Sequence, residues 1–151
     1  METLADTFTE FFERAEPRLR NALVAAYGVD VGTEAAADAL AYGWEHWDRV
    51  SHMDNAIGYL FRVGRSRSRR FRRRPPLPVI TRTNPSPWVE PGLPAALSRL
   101  SDKQRVTIIL IHSLGWTYAE TAELFGVSIG TVETHVQRGM GKLRRALGVT
   151  S

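Results

Sequence analysis

Arginine is the residue type in this chain that most plainly announces a chemistry. Arg62, Arg65, Arg67, Arg69, Arg70, Arg72, Arg73 and Arg74 fall within thirteen consecutive positions. A guanidinium forms paired hydrogen bonds to phosphate and stacks on bases, so such a run suits a nucleic-acid backbone. Arg62, Arg65, Arg69, Arg72 and Arg73 recur at spacings of three and four, which places them along one stripe of a helix. Taken alone, the run also fits a nonspecific polyanion patch. A second group is mostly uncharged. Ser128, Ile129, Gly130, Thr131, Glu133, Thr134, Gln137 and Arg138 open what reads as a long helix, where free amides favour phosphate and side chains can meet base edges. No catalytic set accompanies either group. The chain has no cysteine, which excludes disulfides, thiolate metal sites and thiol nucleophiles. His46, His52, His112 and His135 lack metal-ligand spacing, and no phosphate-cradling loop or nucleophile–base pair occurs. The expectation is a protein that is not an enzyme and needs no metal or cofactor.

The elements that must carry these groups are all helical. The first helix is predicted from about Asp6 to Tyr27, with Phe8, Phe11, Phe12, Ala15, Leu19, Leu23 and Ala26 at helical spacing. A kink or break is expected at Pro17 and a stop at Gly28. A second helix is expected after Gly32, with Thr33 as its N-cap, ending near Asp48. A third starts at Asp54 or Asn55 and runs into the arginines, ending before Pro75. Residues 75–94 hold seven of the eight prolines and read as a semi-rigid linker.

Local punctuation is densest after the linker. Ser101 to Gln104 and Thr117 to Glu120 are capping-box patterns, each opening a helix. The first of these helices should stop at Gly115. The second, Tyr118–Phe125, should stop at Gly126, and Ser128 should cap the last. A short helix, a Gly-Val-Ser turn and a longer helix form the pattern of a helix-turn-helix. Ala122 is small where the helices must approach, and Leu124, Val127, Val132 and Val136 should bury the inner faces. The predicted class is all-α: two small helical domains, residues 1–74 and 95–151, joined by the proline-rich linker. Charge divides the same way. Residues 1–48 carry roughly −7, and residues 49–82 carry about +9 within a net charge of +4, which suggests one surface for a polyanion and another for a different partner.

Residues Leu97 to Leu147 resemble region 4 of sigma factors of the extracytoplasmic-function type, part of the sigma-70 family. The likeness rests on Leu100, Gln104 and Arg105, on Ala122 and Glu123, and on Gly130, Thr131, Val132 and Arg138. It implies duplex binding at the −35 promoter element by Thr117, Tyr118, Ser128, Ile129, Gly130, Thr131, Glu133, Thr134, Gln137 and Arg138. Glu133 and His135 stand where that family often has basic residues, so weaker phosphate contacts are expected. Thr131 to Val136 is also similar to the helix-turn-helix of response-regulator DNA-binding domains. The N-terminal half separates the two, because Phe8 to Arg74 looks like sigma region 2.

Within that half, Ala37 to Trp44 resembles the helix that docks on the polymerase clamp, which implies polymerase contacts by Asp38, Tyr42, Trp44 and Glu45. Asn55 to Arg65 resembles the helix that reads and opens the −10 element. The resemblance assigns single-strand capture to His52, Met53, Asp54 and Asn55, and strand contacts to Arg62, Arg65, Ser66, Arg69, Arg70 and Arg73. Ser66 and Arg70 depart from an asparagine and an aspartate usual near those positions, which shifts the charge further positive. The implied partners are core RNA polymerase, promoter DNA (duplex at −35, melted at −10) and an anti-sigma protein. A cytoplasmic protein without a membrane span is expected. The alternative is a helix-turn-helix regulator that touches polymerase without melting promoter DNA.

Overall fold

The computed structural model describes residues 3–69 and 92–148. Among them the chain is helical throughout: α1 (Leu4–Tyr27), α2 (Val29–Glu45), α3 (Trp47–Val50), α4 (Ala56–Ser68), α5 (Leu93–Ser98), α6 (Asp102–Ile108), α7 (Tyr118–Phe125) and α8 (Ile129–Ala146). A π-helical turn, Ile109–Ser113, prolongs α6. No described helix is long and apolar enough to cross a membrane.

Helix α1 runs unbroken through Pro17. An internal proline costs about 3 kcal/mol of helix stability, but the flanking apolar face outweighs it. Ala15, Leu19, Ala22, Leu23, Ala25 and Ala26 are all buried. The chain turns at Gly28, whose φ of 91° a side chain would resist. Helix α2 therefore begins at Val29, four residues before the Thr33 cap expected from sequence. Gly32, after which sequence places the start of this helix, lies inside α2 at its crossing with α1. A Cβ there would stand 2.4 Å from the Val24 Cα.

Asn55 caps α4 as expected, its side chain accepting a hydrogen bond of 3.0 Å from the Gly58 amide. The short helix α3, which sequence reading did not separate from α2, is pinned by Trp47. Its indole donates to the Thr7 hydroxyl at 3.0 Å and its ring packs on Phe8 and Phe11.

The C-terminal punctuation is met closely. Ser101 and Gln104 form the capping box of α6, and Thr117 and Glu120 that of α7. Ser128 caps α8, its hydroxyl accepting from the Thr131 amide at 3.1 Å. Replacing Ser128 by alanine should lower stability by about 1 kcal/mol, measurable as a shifted urea midpoint at constant slope.

Helices α1, α2 and α4 form one packed layer. Helix α6 and the π turn lie on α1, and α7 lies on α4. The largest cluster of buried side chains crosses between the halves, joining Leu19, Leu23 and Phe61 with Val106, Leu110 and Leu124. Two smaller clusters hold α8 to α5 and α6 and to α7, through Leu143 and Val132 respectively.

Candidate nucleic-acid interface

The helix-turn-helix is built by small residues and caps. Gly126 adopts left-handed geometry at φ 68° and ψ 37°, and the Val127 amide closes the turn on the Ala122 carbonyl at 3.0 Å. Ala122 and Val132 are buried between α7 and α8, with Val127 packed against them. This fixes which face of α8 is presented outward. Gly130, Glu133, Thr134, Gln137 and Arg138 are exposed, Ile129 is 47% exposed and Thr131 half-exposed. Ser128, and Thr117 and Tyr118 at the start of α7, are exposed as well. All the residues expected to read duplex DNA thus lie on accessible surface around two helix N-termini. His135 is half-buried. Burial, then Lys103 and Arg138, hold its imidazole below the ordinary histidine value.

On α4, Arg62, Ser66 and Arg69 are exposed and Arg65 half-buried. Arg70 and Arg73 lie outside the described residues. Arg67, in the same run, is turned aside by an ion pair of 3.3 Å with Asp38 and sits 5.4 Å over the Tyr42 ring. Tyr42 accepts a hydrogen bond of 2.6 Å from Arg49 and lies 3.1 Å, hydroxyl to hydroxyl, from Tyr59. The bond to Tyr59, then Arg49 and Arg67, hold the Tyr42 phenol below its ordinary value. Asp38 and Tyr42 are therefore engaged with α3 and α4. Glu45 is exposed, and Trp44, 49% exposed, faces an apolar groove shared with Phe8, Phe12 and Leu40.

The loop before α4 is partly covered: His52 and Asp54 are exposed, Met53 and Asn55 half-buried. Met53, Asp54 and Asn55 line a cleft of about 360 Å³ whose far wall is Trp116, Glu120 and Glu123. His52 is exposed beside it. The Asn55 carboxamide donates to the Glu123 carbonyl of α7 while its oxygen accepts from Gly58. Phe61 meets Phe125 edge-on at 5.5 Å between ring centres. Arg18 closes the other side. Its guanidinium lies 2.7 Å from the Glu120 carboxylate and 4.8 Å over the Trp116 ring. Sequence reading missed Arg18, Glu120 and Trp116, because each sits in an ordinary helix or turn pattern and their meeting is set by tertiary packing.

Glu120 is held down to about 2, first by the Thr117 amide and then by Arg18, against an ordinary value of 4.5. A lowered carboxylate pKa contributes stability above the unfolded value that is lost as pH falls through the folded one. The Glu120→Gln protein, which keeps the cap, should lose less stability than the parent between about pH 4.5 and 2, as followed by circular dichroism at each pH. Half-exposure of both partners keeps the effect modest.

Comparison with known proteins matches residues 92–143 to the family "Sigma-70, region 4". That match takes in 52 of the 151 residues. Over 53 residues the chain is 38% identical to the ECF RNA polymerase sigma factor SigM of Mycobacterium tuberculosis. Over 55 it is 36% identical to the ECF RNA polymerase sigma factor EcfG of Rhodopseudomonas palustris. These matches cover 35% and 36% of this chain and only 27% and 30% of those relatives. The region 4 domain contains all of the expected −35 reading residues. The fold extends the likeness beyond it. The sigma factor RpoE of Bartonella quintana, solved in complex with the anti-sigma factor NepR, superposes with a TM-score of 0.65 at 24% identity, covering 96% of this chain and 99% of that one. CnrH, solved with the cytosolic domain of CnrY, gives 0.60 at 23%, covering 95% and 89%. The resemblance to sigma-70 factors of the extracytoplasmic-function type is matched in sequence on residues 92–143, and over both halves the likeness is one of fold.

Proposed function

We propose that this chain is a promoter-specificity factor, not an enzyme, that binds core RNA polymerase and directs initiation at promoters with −10 and −35 elements. The observation that carries the reading is the region 4 helix-turn-helix, with an accessible reading helix, in one chain with a helical half bearing an arginine ridge on α4. The region 4 domain reads the −35 duplex through Ile129 to Arg138. The N-terminal half holds polymerase by α2 and the groove around Trp44, and contacts the melted −10 strand by residues 52–55 and the α4 arginines. Domains at 1–74 and 95–151, joined by residues 75–94, fit this division of work. The anti-sigma factor NepR bound to RpoE makes a protein inhibitor a further expected partner.

Run-off transcription with purified core polymerase, and this chain as the sole specificity subunit, tests the reading. Discrete transcripts from a promoter selected from a random library are expected. Promoter binding without any transcript would replace the reading with that of a helix-turn-helix regulator.

A further inference from the structure

Helices α6 and α8 approach closely at Gly139, where an added Cβ would stand 2.4 Å from the Ile108 Cδ1 and 3.5 Å from the Gln104 Cβ. Cations gather around that crossing. Lys103 stands in the first turn of α6 beside Gln104, and Arg138 precedes Gly139 on α8. The Lys142 ammonium donates to the Gln104 side-chain oxygen at 3.0 Å. None of the three cations forms an ion pair among the described residues. His135 lies one turn before Gly139, half-buried at the edge of the presented face, where Thr134 and Arg138 are exposed. The charges that act on its ring are Lys103 of α6 and Arg138 of its own helix. On the other elements packed against α8, and on the rest of α6, the charged groups are otherwise engaged or open to solvent. Asp102 pairs with Arg105 and Glu120 with Arg18. Arg99 after α5, Glu123 of α7 and Glu133 of α8 are exposed.

We infer that Lys103, His135 and Arg138 form a phosphate seat beside the reading helix, and that duplex DNA fills it with uptake of one proton by His135. The inference rests on the proposed function and adds to it a contact on α6 and a dependence on pH. With the seat empty, Lys103 and Arg138 oppose a third positive charge. A backbone phosphate among them reverses that balance, because a nearby anion favours the charged imidazole. Proton and phosphate therefore each strengthen the binding of the other. A group that holds its proton more tightly in the complex than in the free chain makes binding tighter as the pH falls. Without DNA the sign is opposite. An imidazole depressed in the folded chain gives up stability as the pH falls below the ordinary histidine value of 6.5.

The test uses the full chain and a fluorescein-labelled random-sequence duplex, since a phosphate contact is indifferent to sequence. Anisotropy gives the affinity at fixed ionic strength from about pH 8 down to about pH 5.5, the range over which histidine titrates. His135 is followed by NMR over the same range, with and without duplex. The parent is expected to bind roughly threefold to tenfold more tightly at the lower pH, with a log–log salt slope steeper by about 0.9. Its imidazole should titrate at higher pH in the complex than in the free chain. His135→Gln should lose most of the gain in affinity. His112→Gln, changed at an exposed position of the π turn, should keep it. Lys103→Gln should flatten the salt slope by about 0.9. The NMR titration needs no substitution, so the seat stays testable if His135→Gln does not fold.

Equal affinity across the pH range overturns the inference, as does a gain that His135→Gln retains in full or a His135 titration unmoved by duplex. Failure of the parent to bind duplex at any pH overturns it too. Run-off transcription on the parent scores the promoter-factor reading separately, so the two can fail independently.

Discussion

Gly32→Ala should unfold the N-terminal half at temperatures the parent withstands, a larger loss than any surface change in the chain. The added methyl would lie 2.4 Å from the Val24 Cα, 2.5 Å from the Val24 nitrogen and 2.6 Å from the Leu23 carbonyl carbon. These are backbone atoms of α1, so no rotamer change relieves the clash and the two helices must part. Overpacking of a tight core costs about 1–3 kcal/mol where side chains can adjust, and here they cannot. About 3 kcal/mol or more is the expected loss, a large share of the 5–15 kcal/mol typical of a folded domain. Urea unfolding followed by circular dichroism measures it. Gly141→Ala supplies the control. Gly141 lies within α8, with nothing within 4 Å of its would-be Cβ, so alanine there should stabilise by about 0.5–1 kcal/mol through helix propensity. Equal effects at the two positions would show that the α1–α2 crossing is looser than its close approach implies.

The second large effect concerns DNA. The Arg65→Ala/Arg69→Ala protein should bind single-stranded and forked promoter DNA about tenfold to a hundredfold more weakly, and should flatten the dependence on salt. Each phosphate left without its arginine reduces the log–log slope by about 0.7–0.9, so the pair of substitutions removes roughly 1.5. Arg69 is exposed and Arg65 half-buried on α4, and neither forms an ion pair among the described residues. Changes at Thr134 or Gln137 should instead alter which sequences are bound while leaving the slope unchanged, because the proposed function assigns those exposed side chains to base edges rather than phosphates. An unaltered slope in the arginine variant would take α4 off the DNA path.

How much of this could be read from the residues depended on how local the cause was. In the C-terminal half the caps were legible to the residue, because Ser101, Thr117, Ser128 and Gly126 act within a single turn of chain, whereas α5, which begins at Leu93 inside the stretch read as linker, was missed. Helix α1 through Pro17 and α2 from Val29 were not, since in both a local rule was overruled by packing between helices. Gly32 illustrates this well: the same missing side chain that weakens a lone helix permits a close crossing once a second helix is there. The π-helical turn at 109–113 has no sequence signal. Among the site residues, the outer face of α8 followed from its cap and period alone. The closure of α7 over Asn55 could not, because it joins residues 68 positions apart that no shared pattern connects.

Arg105 ties the contact between the halves to the end of α1. The last carbonyls of a helix have no partner within it and carry a partial negative charge, and α1 has no basic residue in its last turn. The missing cation comes from α6. Arg105, 12% exposed, donates to the carbonyls of Ala25 and Ala26 and is itself steadied by Asp102. The first helix of the chain is thus finished by a residue eighty positions later. Whatever pulls the halves apart also strips the end of α1 of its counter-charge, so separation should register as faster hydrogen exchange at Tyr27 and Gly28.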